Sequence, residues 1–494
     1  MELREIKGIN QRIYELDTDI TRSSKVIFIA TILFCITKNK DFLNANKLTT
    51  LIDFTSEKKK PIDQLIDLAK TEIKELNLQK NTEKAIMDSL KTIEGVSTGL
   101  DKDRTRFKDF LYDFITKWFP SIKPSDLFLE TLYMEIDKKA KNSDTGVVLT
   151  PIFAAELMVD LADIDYKKDI IADLCSGTGL FSLLSYSKML KDMDNDLTAK
   201  KISNKEYNEY KDRLYNSIVA NDNDAKMVTL CLANFLLKTL NHTLVYNEDV
   251  LKIQKSTLKY KNMDKELQIK PTKAILNPPY EDKYKPLEIL EKNIEIIKDD
   301  ENMGNRCVVI IPPQKFGQKK DVFSRILNIA TLELVIKMQD DLFTDSGKGQ
   351  PASIFVFNAS KPHDKKDKIR YFNFTDTGYV YLKDSGLVDK NNTYNEKKTE
   401  LLKRIKKKSN MVSKNEFERN FDNFYEVNKE LEIEASINPL IIATNKEEAD
   451  ITLENITIKK MLTEKKKLID GCQNSFVDED GRFEKYIIDI LSED

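Results

Sequence analysis

A short proline-rich segment, residues 274–282 (AILNPPYED), carries side chains suited to chemistry. Its centre is the tetrapeptide Asn277-Pro278-Pro279-Tyr280. Two consecutive prolines remove two backbone donors and fix two φ angles, which an ordinary connection between a strand and a helix does not require. The pattern therefore indicates that something rigid, bearing an amide and an aromatic ring, is held at the end of an apolar run.

A second candidate segment is the glycine-containing loop Asp173-Leu174-Cys175-Ser176-Gly177-Thr178-Gly179. It closes an apolar run and precedes a helix that is predicted to begin at Leu180. Gly177 and Gly179 permit a sharp turn and a close approach of the backbone to a ligand. Because a GxG turn after a strand is also typical of an ordinary tight turn, its meaning depends on its neighbours.

An acidic residue at the end of the next apolar run, Asp222, favours the ligand-binding interpretation. Its carboxylate can accept both ribose hydroxyls of a nucleoside, although an acid in the sequence NDND can also cap a loop or a helix. The loop and the acid together predict a site that binds an adenosine group. The site lacks a phosphate-binding loop, since the chain contains neither a full GxGxxG nor a GxxxxGK[ST] motif. A P-loop ATP-driven motor is thereby excluded, whereas S-adenosylmethionine fits as a cofactor.

The elements that must position these residues are short apolar runs separated by helical patterns. Runs of this kind predict a mostly parallel, doubly wound α/β sheet covered on both faces. Ligands bind such sheets beyond the carboxyl ends of the strands, at the topological switch point. The predicted strands lie in DIIADLCS (169–176), NSIVANDN (216–223), TLVYNEDV (243–250), KAILNPPY (273–280), RCVVIIPP (306–313), LELVIKMQ (332–339) and ASIFVFNA (352–359).

Helical periodicity dominates both flanks of this region, so we predict three domains. They are an all-α domain over residues 1–144, a catalytic domain over 145–385 and a helical region over 386–494. The apolar run from Val26 to Thr37 is too short to span a bilayer and predicts a buried helix. The basic run KRIKKK (403–408) is typical of a solvated helix face, with DNA contact as the alternative.

Composition limits the possible partners and cofactors. The chain has 494 residues, and 79 basic against 82 acidic side chains give a formal net charge of −3. It is therefore not a polycation that coats nucleic acid, and a surface that binds nucleic acid must be local or supplied by a partner. Five scattered cysteines without a CxxC pair indicate reduced thiols in the cytoplasm, and with only two histidines no metal site is expected.

The motifs together resemble those of amino-methylating DNA methyltransferases, and closely those of the modification subunit of type I restriction-modification systems. VVLTPIFAAELMVDL (147–161) is similar to the family motif that precedes the cofactor loop, with Thr150 and Pro151 where the methionine part of S-adenosylmethionine is contacted. IADLCSGTGLF resembles the family's Asp-Pro-Ala-Cys-Gly-Thr-Gly-Gly-Phe and keeps both glycines. The order of these motifs resembles the gamma arrangement, and KVIFIATILFCITKNKDF is similar to the helical domain of type I modification subunits.

The resemblance assigns roles to the candidate residues. Asn277 and the Pro278 carbonyl would accept hydrogen bonds from the adenine amine and favour a pyramidal nitrogen whose lone pair is aimed at the sulfonium methyl. Tyr280 would stack on the flipped base, and Phe343, in LFTDSGKGQPASIFVF (342–357), would close its other side. Asp249 would bind the cofactor adenine amine or cap the end of a strand. Cofactor contacts are implied for Thr150, Pro151, Asp173, Ser176, Gly177, Thr178, Gly179, Asp222 and Asp249.

The same resemblance implies the partners. They are double-stranded DNA, a separate specificity subunit, a second copy of the chain and a restriction subunit, without a membrane. Two alternatives remain open from the residues alone. One is methylation of a protein glutamine or an RNA base, because the tetrapeptide recognises an sp² amino group and not DNA itself. The other is a catalytically silent scaffold that binds nucleic acid in a defence complex.

Overall fold

The first third of the chain is helical, as predicted. The structure, a computed structural model, places seven α-helices among the described residues of this part. It describes residues 3–16, 21–38, 41–44, 47–94, 104–123, 126–137, 149–255, 258–262, 265–299, 304–343, 351–364, 367–382, 386–407 and 416–420. The helices of the first third are α1 (Leu3–Glu15), α2 (Arg22–Lys38), α3 (Leu48–Leu51), α4 (Pro61–Lys74), α5 (Lys80–Leu90), α6 (Arg104–Asp113) and α7 (Phe128–Asp137).

A nine-stranded sheet organises the remainder of the described chain. The strands are β1 (Ile171–Asp173), β2 (Ile218–Asn221), β3 (Val245–Tyr246), β4 (Lys259–Asn262), β5 (Lys265–Gln268), β6 (Lys273–Leu276), β7 (Arg306–Ile311), β8 (Thr331–Met338), β9 (Ser353–Asn358), β10 (Lys368–Phe374), β11 (Tyr379–Leu382), β12 (Gly386–Asp389) and β13 (Glu416–Asn420). The spatial order in the sheet is β13-β10-β8-β9-β7-β6-β1-β2-β3. Two separate hairpins are formed by β4 with β5 and by β11 with β12.

The sheet is mostly parallel. Strands β3, β2, β1, β6 and β7 run parallel to one another, whereas β9 lies antiparallel between β7 and β8. After β1 the chain builds outward to β2 and β3, and it then returns to place β6 on the other side of β1. The switch point of this doubly wound sheet therefore lies between β1 and β6, whose carboxyl ends share one edge.

Helices connect the strands and supply the apolar residues that bury them. The central strands β1, β2 and β6 are buried at every position because helices cover the sheet. The helices of this part are α8 (Ile152–Leu161), α9 (Leu180–Thr198), α10 (Asn204–Leu214), α11 (Ala225–Leu237), α12 (Pro286–Ile297), α13 (Gln314–Gln318), α14 (Lys320–Leu327) and α15 (Tyr394–Lys407).

The helical first third packs directly against the sheet region through α11. The buried segment Val26–Ile36 of α2 contacts α4, α7 and α11, and α5 also packs on α11. Thr82 donates a hydrogen bond to the carbonyl of Val245 at 3.1 Å, which ties α5 to β3. The buried apolar side chains form one continuous core across both parts. The run from Val26 to Thr37 is thus the buried helix that its sequence predicts.

Each of the seven predicted strand segments contains a strand, and a helix begins at Leu180 as predicted. Strands β10 and β13 and the two hairpins were not predicted from the sequence. Beyond residue 390, α15 confirms the predicted helix, whereas β13 extends the sheet at its edge. Lys408 and residues 421–494 lie outside the described residues. Within the described part of the chain, no helix is long and apolar enough to cross a bilayer.

Candidate active site

The glycine-containing loop connects β1 with α9 and adopts a conformation that glycine makes possible. Gly177 has φ +54° and Gly179 has φ +91°, both in the left-handed region. A Cβ atom at Gly179 would lie 3.1 Å from the sulfur of Cys231 on α11, whereas one at Gly177 would meet no atom within 4 Å. The left-handed backbone and the close approach to Cys231 therefore both favour glycine at position 179, whereas Gly177 borders open space.

Neighbouring elements hold this loop in place. The backbone amide of Ser176 donates to the carbonyl of Asn221 at 2.9 Å. The side chain of Asn234 on α11 donates to the carbonyl of Thr178, also at 2.9 Å. Asp173 accepts hydrogen bonds from the backbone and the hydroxyl of Ser182, at 3.0 and 2.8 Å, and so fixes the first turn of α9. Burial raises the pKa of Asp173 to about 7, although these hydrogen bonds oppose the shift.

The side chain of Asn221 joins the ends of three neighbouring strands. Its Nδ2 donates to the carbonyls of Leu174 and Glu248, both at 3.1 Å, and its Oδ1 accepts from the backbone amide of Glu248 at 3.0 Å. The ends of β1, β2 and β3 are thus fixed relative to one another. Sequence reasoning missed this residue, because a buried asparagine at the end of a strand does not show its partners in the sequence.

Asp222 supports the glycine loop from the second strand. Its two carboxylate oxygens accept from the backbone amides of Gly177 and Asp224, each at 2.9 Å. The cap of α11 is instead Asp224, which accepts from the amides of Lys226 and Met227. Burial raises the pKa of Asp222 to about 6, against the effect of its backbone hydrogen bonds.

The proline-rich tetrapeptide follows β6 and is linked to the segment that precedes α8. The Nδ2 atom of Asn277 donates to the hydroxyl of Thr150 at 2.9 Å. The next residue, Pro151, precedes the first turn of α8, and its carbonyl accepts from Ala154 and Ala155 at 3.0 Å each. Because Nδ2 is turned toward Thr150, the carbonyl oxygen Oδ1 lies on the opposite side of the Asn277 amide.

A cavity of about 560 Å³ opens at this edge of the sheet, and it brings together most of the predicted site residues. Asp249 borders the cavity and also caps a short helical turn by accepting from the amide of Leu251 at 3.1 Å. The predicted residues that line the cavity are Thr150, Ser176, Gly177, Thr178, Asp222, Asp249, Asn277, Pro278 and Pro279. Pro151, Asp173, Gly179, Tyr280 and Phe343 are not part of its wall.

The two aromatic residues predicted to enclose the base contact each other instead. The rings of Tyr280 and Phe343 lie edge to face, with centroids 5.7 Å apart and an interplanar angle of 82°. Both side chains are buried, and the Tyr280 hydroxyl donates a long hydrogen bond of 3.4 Å to the carbonyl of Ile310. Burial raises the pKa of Tyr280. In this arrangement there is no gap between the rings.

Several residues of the cavity wall were not singled out from the sequence. Glu130 reaches the cavity from α7, and its carboxylate forms a hydrogen bond with the hydroxyl of Thr178. It is 1% exposed, and burial raises its pKa to about 8. A signal was present in the sequence, since Glu130 is an acid inside the apolar pattern FLETLYMEID. Lys283, Tyr284 and Lys285 also line the cavity, on the side of the tetrapeptide.

Acidic groups dominate the part of the wall near the glycine loop. They are Glu130, Asp222, Asp224, Glu248 and Asp249. The nearby thiol of Cys175 has its pKa raised by burial, which suits packing and not nucleophilic attack. A cavity with this distribution of charge favours a ligand that carries positive charge close to the glycine loop.

The strand order, the left-handed glycine loop and the rigid tetrapeptide at the switch point define a Rossmann-like methyltransferase fold. More specifically, the chain resembles the N6-adenine DNA methyltransferases of restriction-modification systems, and residues 129–315 match the family described as N-6 DNA Methylase.

The chain is also similar to one curated protein. Over 311 residues the chain is 25% identical to the type II restriction enzyme and methyltransferase RM.BcgI of Heyndrickxia coagulans, which covers 60% of this chain and 45% of that protein. The chain thus spans less than half the length of this curated relative.

Solved structures share the fold. The modification subunit of a putative type I restriction enzyme from Vibrio vulnificus superimposes with a TM-score of 0.57 at 15% identity, over 85% of this chain and 93% of that one. A chain from a study of the assembly and conformational transition of the type I restriction-modification system gives a TM-score of 0.58 at 15% identity, over 95% and 98%.

Proposed function

We propose that this chain transfers the methyl group of S-adenosylmethionine to the exocyclic N6 of a flipped adenine in DNA. We further propose that it acts as the modification subunit of a restriction-modification or related defence system. The proposal rests on one observation. The glycine loop after β1 and the Asn277 tetrapeptide after β6 line the same cavity.

The residues around the loop fit the proposed cofactor. Gly177 borders open space where a side chain would intrude, and the acidic wall suits a molecule with a sulfonium and an ammonium group. Thr150, Ser176, Gly177, Thr178, Asp222 and Asp249 would hold it, and Asp173 and Gly179 would keep the loop in shape. Pro151 would act by starting α8 directly after Thr150. When bound, S-adenosylmethionine supplies an electrophilic methyl group.

Asn277 and Pro278 then act on the acceptor amine. The amine of adenine is a poor nucleophile because its lone pair is delocalised into the ring. The Oδ1 atom of Asn277 and the carbonyl of Pro278 accept its two N–H groups, which favours a pyramidal nitrogen with a directed lone pair. The hydrogen bond from Asn277 to Thr150 supports this assignment, because it sets which edge of the amide is the acceptor.

Capture of the base requires a rearrangement of Tyr280 or Phe343. A base stacked between two parallel rings needs about 3.5–4 Å on each side, but the two centroids are 5.7 Å apart and the rings are nearly perpendicular. We infer that the base displaces the Phe343 ring and stacks on Tyr280. Stacking would stabilise the bound base by about 1–3 kcal/mol. That gain offsets part of the cost of flipping the base, a few kcal/mol.

The proposed partners follow from the restriction-modification context. They are double-stranded DNA, a specificity subunit, a second copy of the chain and a restriction subunit. Support comes from a structural relative whose description concerns assembly of a type I system. A net charge of −3 supports the same view, since phosphate neutralisation supplies much of the affinity for DNA.

The test combines cofactor binding with identification of the methylated product. We expect purified chain to bind S-adenosylmethionine, and cells that express it with its genomic neighbours to accumulate N6-methyladenine at one motif. Asn277→Ala should keep cofactor binding and abolish the mark. Methylation of a protein glutamine or an RNA base, with no mark on DNA, would favour the alternative substrate. Absence of cofactor binding would favour the silent scaffold.

A further inference from the structure

The carboxylate of Glu130 belongs to the helical first third of the chain, yet it lines the cavity beneath the glycine loop. Its helix, α7, packs against α1 and α2 and buries Leu129, Leu132 and Ile136 in the apolar core. A domain boundary near residue 144, as predicted from the sequence, would separate this carboxylate from the loop that it contacts.

The immediate surroundings of Glu130 leave its charge without compensation. The side chain is 1% exposed, and its only hydrogen-bond partner among the described residues is the hydroxyl of Thr178. It forms no ion pair with any residue that the structure describes. A buried carboxylate is stable only when it is paired or protonated. Burial alone raises the pKa of Glu130 to about 8, so without a ligand the group is protonated at neutral pH.

Two other acids near the loop, Asp173 and Asp222, are held by hydrogen bonds within the fold. Asp173 accepts two hydrogen bonds from Ser182 through one carboxylate oxygen, and it is not part of the cavity wall. Asp222 is held by the amides of Gly177 and Asp224. Of these three acids, Glu130 is the one whose carboxylate lines the cavity without a backbone hydrogen bond. Glu248 also lines the cavity, but it is only half-buried and accepts from the side chain of Asn81 at 2.7 Å.

We propose that Glu130 binds the ammonium group at the methionine end of S-adenosylmethionine, so that the helical region completes the cofactor site. This inference rests on the proposed function. An ammonium group offers three N–H donors, whereas a sulfonium offers none, and a buried carboxylate gains most from charged donors. The hydroxyl oxygens of Thr150 and Thr178 also line the cavity, and each can accept a hydrogen bond from one of the remaining N–H groups.

Three ligands separate this role from others when they are titrated calorimetrically against the full chain. S-adenosylmethionine carries both positive groups, S-adenosylhomocysteine carries only the ammonium, and 5′-methylthioadenosine carries neither. Glu130→Gln should weaken the first two by about 10- to 100-fold, as expected for loss of one charged hydrogen bond. It should leave the affinity for 5′-methylthioadenosine unchanged. The matched control is Glu135→Gln on the same helix, which should change none of the three affinities.

The results that would contradict the role of Glu130 differ from those that would contradict the proposed function. Equal losses for all three ligands would mean that Glu130 only shapes the loop, and a loss confined to S-adenosylmethionine would assign it to the sulfonium. Either result, or three unchanged affinities, overturns the proposal. Failure of the unaltered chain to bind S-adenosylmethionine would instead overturn the proposed function.

A second measurement needs no variant and covers the case in which Glu130→Gln does not fold. At pH 6.5 the ligand's amine is already protonated, since α-amino groups titrate near 7.7–8.0. Pairing must then ionise Glu130 and release its proton. Titrations in two buffers of different ionisation enthalpy should show release of close to one proton for each S-adenosylmethionine bound. If the pH dependence of stability shows that Glu130 is protonated in the ligand-free chain at pH 6.5, binding without proton release would overturn the pairing.

Discussion

The Nδ2 atom of Asn277 lies 2.9 Å from the hydroxyl oxygen of Thr150, although the two residues are 127 positions apart in the chain. One residue ends the segment that leads into α8, and the other begins the tetrapeptide after β6. Since Thr150 also lines the cavity beside the glycine loop, a single hydrogen bond connects the proposed cofactor side with the proposed acceptor side.

This connection predicts a specific effect of Thr150→Val. The variant removes the Thr150 hydroxyl that accepts from Asn277 Nδ2, so that hydrogen bond no longer fixes the amide with Oδ1 toward the proposed acceptor amine. Misplacement of a reacting group by about 1 Å costs on the order of 10²-fold. We expect single-turnover methyl transfer at saturating cofactor to fall by about that factor. Thr150→Ser keeps the hydroxyl and should retain most of the rate, and equal loss in both variants would contradict the positioning role.

Asp222→Ala should reduce both cofactor affinity and stability. The carboxylate accepts the amides of Gly177 and Asp224, so its removal leaves these donors without a partner and also takes away the proposed ribose contact. We expect the affinity for S-adenosylmethionine to weaken by about 2–3 kcal/mol, and the unfolding free energy by about 1–3 kcal/mol. Calorimetry measures the affinity, and urea denaturation measures the free energy of unfolding. Lost stability with unchanged affinity would show that Asp222 only supports the loop.

The sheet was predictable from the sequence because its central strands are short, continuous apolar runs with clear breaks. Every one of those runs contains a strand, and the two chemical segments lie at the switch point, as parallel topology requires. The edge strand β13 was missed because its sequence, EFERN, has a single apolar residue, Phe417, among charged and polar ones and therefore contains no apolar run. A strand of this kind depends on its pairing with β10.

The candidate site could be located from the sequence where it depends on local motifs, and less so where it depends on tertiary contacts. The glycines and the tetrapeptide can be recognised in the sequence because glycine and proline have distinctive backbone conformations. Asn221 and Glu130 act through partners that are distant in sequence, Leu174 and Thr178. The contact between the rings of Tyr280 and Phe343 likewise depends on how two loops meet.

Substitutions of Tyr280 should separate stacking from hydrogen bonding. The hydroxyl makes one long hydrogen bond of 3.4 Å, so Tyr280→Phe should change little. Tyr280→Ala removes the stacking surface and opens a cavity in the buried contact with Phe343, which we expect to cost about 3–5 kcal/mol of stability. Duplexes with 2-aminopurine at the target position report base flipping by fluorescence, after folding has been verified. Equal loss of the signal in both variants would exclude a stacking role.

Burial of Glu130 predicts how the stability of the ligand-free protein depends on pH. Its pKa rises from the ordinary 4.5 to about 8, so between these values the folded chain holds a proton that the unfolded chain has lost. The contribution of this group is present below pH 4.5 and is lost as the pH rises through 8. Glu130→Gln lacks this titration. Between pH 5.5 and 8.5 the free energy of unfolding of the unaltered chain should fall by more than about 1.4 kcal/mol relative to that of the variant. This figure is the free-energy equivalent of a shift of one pKa unit.

Urea denaturation at the two pH values measures this difference, with Glu135→Gln as the control for the substitution itself. Excess S-adenosylmethionine should reduce the difference, because the proposed ion pair stabilises the ionised form in the folded state. A stability difference between the chain and Glu130→Gln that does not change with pH would show that Glu130 has an ordinary pKa in the folded protein.

The last prediction concerns the choice of DNA sequence. Phosphate neutralisation by basic side chains supplies most non-specific affinity for DNA, and the formal net charge of −3 gives the isolated chain little of it. Specific readout further requires side chains placed against base edges in the major groove. We therefore expect purified chain to bind S-adenosylmethionine but to methylate duplex DNA slowly and without a motif. Addition of a specificity subunit should raise the rate at limiting DNA by on the order of 10³-fold or more, with N6-methyladenine at one sequence. Rapid methylation of one defined motif by the isolated chain would show that it reads DNA by itself.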